Sequence, residues 1–142
     1  MIKFRVRSYQ DRMAGYRRVL EARSPETTLE RLRELAGDEI RPVRLWTARN
    51  PRTPADALAR LLGDADESVQ WNALLHTGTP GTALEWLADE EEARYGVRHF
   101  LCRSLIVHHP NTPDALRRRL LRAGACGCPK WCGGRIPFRR LT

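Results

Sequence analysis

One recurring phrase constrains this chain more than any other feature. Ser24-Pro25, Thr53-Pro54 and Thr79-Pro80 are each followed by Leu five residues after the Ser/Thr and another Leu three later: Leu29 and Leu32, Leu58 and Leu61, Leu84 and Leu87. A fourth copy, Thr112-Pro113 with Leu116 and Leu120, has its first Leu one residue early, and the starts are 29, 26 and 33 residues apart. A second phrase precedes the later copies. The stretch from Val43 to Pro54 aligns with Val69 to Pro80 and with Cys102 to Pro113, and the extra length of the third unit falls around residues 89–101. Self-similarity at such a period means stacked supersecondary units, each unable to bury its apolar face alone.

The phrase has a physical reading. Ser or Thr at an N-cap accepts a backbone N–H, and Pro at the first helical position has no N–H to satisfy. The paired leucines make one buried stripe, so Leu29, Leu32, Leu58, Leu61, Leu84 and Leu87 are expected in the core. Gly37-Asp38 and Gly63-Asp64 break the chain and open a second short helix. Asn50-Pro51 and His109-Pro110 end that helix, since the residue before Pro is pushed out of the α region. Leu, Ala and Arg dominate the composition, which favours helix over sheet.

Val-Arg-x-x-x-Ala-x-Asn-Pro-x-Thr-Pro-x-x-x-Leu-x-x-Leu, read from Val43 to Leu61, resembles the variant leucine-rich repeat family, one of the HEAT- and armadillo-like helical repeats. The resemblance implies an all-α, right-handed superhelical solenoid of about four short helix-pair repeats, with a binding role and no catalysis. The expected organisation is a basic N-terminal capping helix at residues 1–23, repeats at 24–124, and a Cys/Gly-rich basic tail at 125–142. In the capping helix, Tyr9, Met13, Tyr16 and Leu20 share one face, expected to cover the open end of the solenoid.

The net charge of +8 is unevenly placed. Residues 1–23 hold 7 cations and 2 anions, residues 64–101 hold 2 and 8, and residues 102–142 hold 9 and 1. Basic ends attract a phosphate backbone or an acidic protein. No apolar run approaches a membrane span and the first ten residues lack an apolar signal core, so a cytoplasmic protein without membrane contact is expected.

Cys126, Cys128 and Cys132 lie in a Gly/Cys/Pro segment where a tight loop can aim several sulfurs inward. Thiolates bind zinc or iron–sulfur clusters, and a fourth ligand could come from Cys102, His108 or His109. No resident cofactor is otherwise expected. Members of the resembled family can carry a cysteine-ligated iron–sulfur module at the amino end, whereas these cysteines are at the carboxyl end. Cys102 aligns with Val43 and Val69, so it also fits a small core position.

Trp46, Trp71 and Trp86 fall at variable positions between fixed ones, where repeat proteins present ligand contacts. With Arg44 and Arg103 they are the candidate partner-binding residues. The alternative is nucleic-acid binding through Arg117, Arg118, Arg119, Arg122, Arg139 and Arg140. Glu90 to Glu92 read as a solvated helix start. His76, His108 and His109 stand at helix ends, His99 lies in the insertion, and no catalytic motif is present. A non-enzymatic scaffold that binds another protein is the expected function.

Overall fold

The computed structural model describes residues 8–97, 101–128 and 132. Among these residues there are eight helices and no strand: α1 (Tyr9–Arg23), α2 (Leu29–Leu35), α3 (Arg41–Arg49), α4 (Ala55–Leu62), α5 (Glu67–Leu74), α6 (Gly81–Tyr95), α7 (Arg103–Ile106) and α8 (Asp114–Arg122). The odd helices α1, α3 and α5 stack in one row, and α2, α4 and α6 in a second. Each even helix packs on the odd helix that follows it, in the pairs α2–α3, α4–α5 and α6–α7. There are thus three complete pairs, with α1 ahead of them and α8 behind. None of these helices is long and apolar enough to cross a membrane.

The repeat register differs from the expected one in the first unit. The Thr27 hydroxyl donates to the Glu21 carbonyl, Thr53 to Thr47, Thr79 to Ala73 and Thr112 to Ile106, always six residues back. Thr27, Thr53 and Thr79 are 26 residues apart. Ser24-Pro25 therefore corresponds to Asn50-Pro51, not to Thr53-Pro54. In the corrected register Leu32 and Leu35 match Leu58 and Leu61, and all four are buried. Leu29 matches Ala55 instead and is 43% exposed, against the expectation of burial.

The recurring threonine is also not the N-cap of the helix after it. Pro54, Pro80 and Pro113 hold the N-cap position, and α2 is capped by Thr28, whose side chain accepts from the Arg31 N–H. The carbonyls near a helix end lack their full set of helical donors, and the threonine hydroxyl adds a second donor to one that already accepts the N–H of Ser24, Asn50, His76 or His109. The proline needs no donor partner, and its carbonyl accepts the first helical N–H of Leu58, Leu84 or Arg117.

Helix α1 turns a different face inward from the expected one. Tyr9, Tyr16 and Leu20 are exposed, while Gly15 and Ala22 are buried and Val19 packs against Ala22, Leu35 and Val43. Arg18 on this inner side meets Asp38 at 2.7 Å. Arg44 meets Asp64 at 2.7 Å one repeat later, so α1 is held as the first member of the odd row. Gly15 allows the approach, because a Cβ there would stand 2.7 Å from Cδ1 of Ile40.

The long third unit is explained by α6, which has 15 residues where α4 has 8. Seven residues are two helical turns. Glu90–Glu92 consequently sit in the second half of α6, not at a helix start. Glu91 is 4% exposed and accepts the backbone N–H groups of Cys102 and Arg103 at 2.8 and 2.9 Å. The extension thus supplies the N-terminal partner that the short helix α7 lacks in its own sequence.

A polar ladder runs through the repeats where α1, α3, α5 and α7 end. The Asn50 amide donates to the carbonyls of Ala22 and Ser24 at 2.8 and 3.0 Å. Nε2 of His76 lies 2.9 Å from the Asn50 carbonyl, and Nε2 of His109 lies 2.9 Å from the His76 carbonyl. Each ring also accepts a backbone N–H at Nδ1, from Gly78 and from Asn111. A backbone N–H is an obligate donor, so both rings carry their proton on Nε2. Asn50, His76 and His109 are buried, and this chain of bonds ties each unit to the one before. Around it, one apolar cluster runs from Ala36 to Ala125 through Leu61, Leu62, Leu74, Leu84, Ile106 and Leu120.

Candidate metal centre

Past α8 the chain turns at Gly124, whose φ of +87° is in the region that favours glycine, and Ala125 is buried. This turn sends Cys126 and Cys128 back across the end of α7, where His108 stands. Sγ of Cys126 and of Cys128 lie 3.5 and 3.6 Å from Nε2 of His108, and Sγ of Cys132 lies 3.9 Å from its Nδ1. One ligand atom from each of the four residues can be chosen so that all lie within 4.8 Å of one another. His108, Cys126, Cys128 and Cys132 are therefore close enough to hold a metal ion.

The geometry suits one ion. With metal–sulfur and metal–nitrogen bonds of about 2.3 and 2.05 Å, a tetrahedron places sulfur and nitrogen ligands roughly 3.6 Å apart, which Cys126 and Cys128 meet at Nε2 of His108, while Cys132 faces the other ring nitrogen. In an iron–sulfur cluster the four protein ligands are divided among two or four irons, which spreads them further than a single ion does. Burial, reinforced by Cys126 and Cys132, pushes the Cys128 thiol up to about 11, so a metal must displace its proton to bind there. Burial, with Arg117 nearby, holds the His108 imidazole below its ordinary pKa, in the neutral form that can ligate.

Cys102 is not part of this group. It is buried in the apolar cluster at the start of α7, and burial beside Glu91 pushes its thiol up to about 11. His109 is committed to the ladder, with both ring nitrogens bonded to backbone. Of the three candidates for fourth ligand, His108 is the one that meets the cysteines.

The other candidates divide into internal and outward side chains. Arg44 is held by Asp64 and by the Asp38 carbonyl, an internal brace and not a surface contact. Arg103 is 1% exposed, 4.0 Å from Glu91 and bonded to the Gly96 carbonyl at 2.7 Å, so no partner can reach it. Trp46 is half-buried, with the Arg23 and Arg49 guanidinium groups 4.4 and 4.9 Å from its ring. Trp71 and Trp86 remain outward, 36% and 46% exposed, and line one groove between α5 and α6.

The candidate basic track is partly consumed as well. Arg117 donates to the carbonyls of Val107 and His109, and Arg119 pairs with Asp89 at 2.7 Å. Arg118 and Arg122 are exposed on α8. Arg139 and Arg140, like His99, lie outside the described residues.

In comparisons with known proteins, residues 41–66 match the family model for the leucine rich repeat variant. No curated protein and no solved structure matches the chain. The matched stretch covers α3, α4 and the turn into α5, one full 26-residue period of the Thr-Pro register. Residues 41–66 thus match one leucine rich repeat variant unit, and the described residues form an all-helical repeat solenoid around it.

Proposed function

We propose that this chain is a non-enzymatic scaffold that binds another protein, and that a single zinc ion held by His108, Cys126, Cys128 and Cys132 closes its carboxyl end. The reading rests on a contrast between spent and unspent side chains. The repeated polar residues are consumed internally: the threonine hydroxyls, the ladder of Asn50, His76 and His109, and the Arg18–Asp38 and Arg44–Asp64 braces. What differs between units stays outside, foremost Trp71 and Trp86. Exposed aromatics on a rigid frame are common anchors of protein interfaces.

The metal would fasten the cysteine segment that follows α8 to His108, just past the end of α7. Thiolate binding to zinc adds directly to folding stability. The short span of the ligand atoms favours zinc over an iron–sulfur cluster.

Purification under reducing conditions followed by metal analysis tests the closure. The expected result is about one zinc per chain in a colourless protein, with a lower melting temperature after chelation. A metal-free protein whose Cys126→Ser, Cys128→Ser, Cys132→Ser variant melts like the parent would overturn it. The scaffold is tested by affinity capture with the parent and with a Trp71→Ala, Trp86→Ala variant. Proteins retained by the parent should be lost from the variant, and identical capture would count against the aromatic surface.

A further inference from the structure

The groove between α5 and α6 is where the repeat departs most from itself. In the register set by the threonines, Glu67 stands where the preceding unit has Arg41, Trp71 where it has Leu45, Trp86 where it has Arg60, and Glu90 where it has Asp64. Two cations have been exchanged for an anion and an aromatic, and a leucine for a second aromatic. The result is a groove of about 740 Å³ with Trp71 and Trp86 on its walls and Leu87 and Cys102 among its lining residues. Residues 64–101 hold 8 anions against 2 cations in a chain of net charge +8.

Five of those eight anions are already paired within the fold, among them Glu91, 4.0 Å from Arg103. Asp64 braces Arg44, Asp66 meets Arg41 at 2.5 Å, Asp89 meets Arg119, and Glu92 meets Arg103 at 3.4 Å. Glu67 and Glu90 are exposed in the groove lining, beside the two indoles. An indole face with a neighbouring carboxylate suits a guanidinium, which stacks flat on the ring and bonds the carboxylate with its edge. The chain already shows the first half of this pairing, where Arg23 and Arg49 lie against Trp46.

We propose that this groove is a docking site for an arginine-bearing segment of a partner protein, whose guanidinium groups lie on Trp71 and Trp86 and pair with Glu67 and Glu90. This rests on the reading of the chain as a protein-binding scaffold and names the chemistry of the partner. Charge complementarity selects the occupant. The groove lies in the acidic stretch of an otherwise basic molecule, with Arg94 the one cation beside Asp64, Glu67, Glu90 and Glu91 in its lining, so it attracts a basic peptide and repels nucleic acid.

The test uses the full-length protein and a fluorescein-labelled peptide of alternating Arg and Gly, nine residues long. A second peptide carries citrulline for arginine, which keeps the shape and removes the charge. Fluorescence anisotropy at physiological ionic strength should show saturable binding of the arginine peptide, at least roughly tenfold tighter than the citrulline peptide. Trp71→Ala with Trp86→Ala should weaken it at least about tenfold, and Glu67→Gln with Glu90→Gln should weaken it and flatten its salt dependence. Circular dichroism controls for folding, and the milder Trp86→Phe should lie between parent and double variant. Equal affinity for both peptides, or an unchanged affinity in the folded Trp double variant, overturns the proposal. So does concentration-dependent self-association, measured by sedimentation, that the Trp variant abolishes, since the occupant would then be a second copy. A partner captured equally by parent and Trp variant would sink the groove and leave the scaffold reading standing.

Discussion

Removing one rung of the polar ladder should cost far more than the size of the side chain suggests. His76 is 3% exposed, and its ring spans two backbone groups, the Asn50 carbonyl at 2.9 Å and the Gly78 N–H at 2.9 Å. His76→Ala deletes both bonds and leaves a cavity. The Gly78 amide is at the surface and can recruit water, whereas the buried Asn50 carbonyl keeps the Thr53 N–H at 3.1 Å and loses the other of its two partners, at about 0.5–1.5 kcal/mol. With the lost packing, the total should be roughly 2–4 kcal/mol, a large part of the stability of a domain this size. His76→Asn should recover part of this, because Asn50 fills the equivalent place by donating to Ala22 and Ser24 and accepting the Arg52 N–H. Urea denaturation of parent and both variants, with a common m-value, gives the differences. A His76→Ala loss below about 0.5 kcal/mol, the range of ordinary surface changes, would refute the ladder as a tie between units. So would a His76→Leu variant as stable as the parent.

The corrected register makes its own prediction: Leu58→Ala should destabilise by about 2–5 kcal/mol, whereas Leu29→Ala should stay within about 0.5 kcal/mol. Similar losses at both positions, in thermal or urea melts, would restore the uncorrected alignment. The ladder also predicts acid sensitivity. Burial holds the His109 imidazole below its ordinary pKa, so the unfolded chain takes up the proton first as pH falls. Its contribution to stability is complete above the unfolded pKa of about 6.5 and is lost as pH drops toward the depressed folded value. The urea midpoint should therefore fall between pH 7.5 and 5.5, and His109→Asn should fall less over the same range. Parallel decline of parent and variant would contradict this.

Much of the fold is legible in the residues, and the failures have physical causes. The Leu stripe and the helix breaks at Gly37-Asp38 and Gly63-Asp64 are enough to read stacked helix pairs. The first unit misleads because Ser24-Pro25 imitates Thr53-Pro54, although its place is that of Asn50-Pro51. A better signal was present in the 26-residue spacing of Thr27, Thr53 and Thr79, which Arg18 and Arg44, and Asp38 and Asp64, repeat. The outward face of α1 is misread because three of its large apolar residues share a face, yet the side that packs carries Gly15, Val19 and Ala22. Arg44 and Arg103 look like surface arginines in sequence, and only the fold brings Asp64 and Glu91 to them. The cysteine cluster is legible in its spacing. Its fourth member is not, because the choice between Cys102, His108 and His109 depends on which way each side chain leaves α7 and the turn after it.

The most direct test of a metal-closed solenoid is X-ray absorption at the zinc edge on protein purified under reducing conditions. Three sulfurs at about 2.3 Å and one nitrogen at about 2.0–2.1 Å are expected around the ion, with the nitrogen lost in His108→Ala. A shell of four sulfurs, one of oxygen and nitrogen alone, or one unchanged by His108→Ala would contradict it.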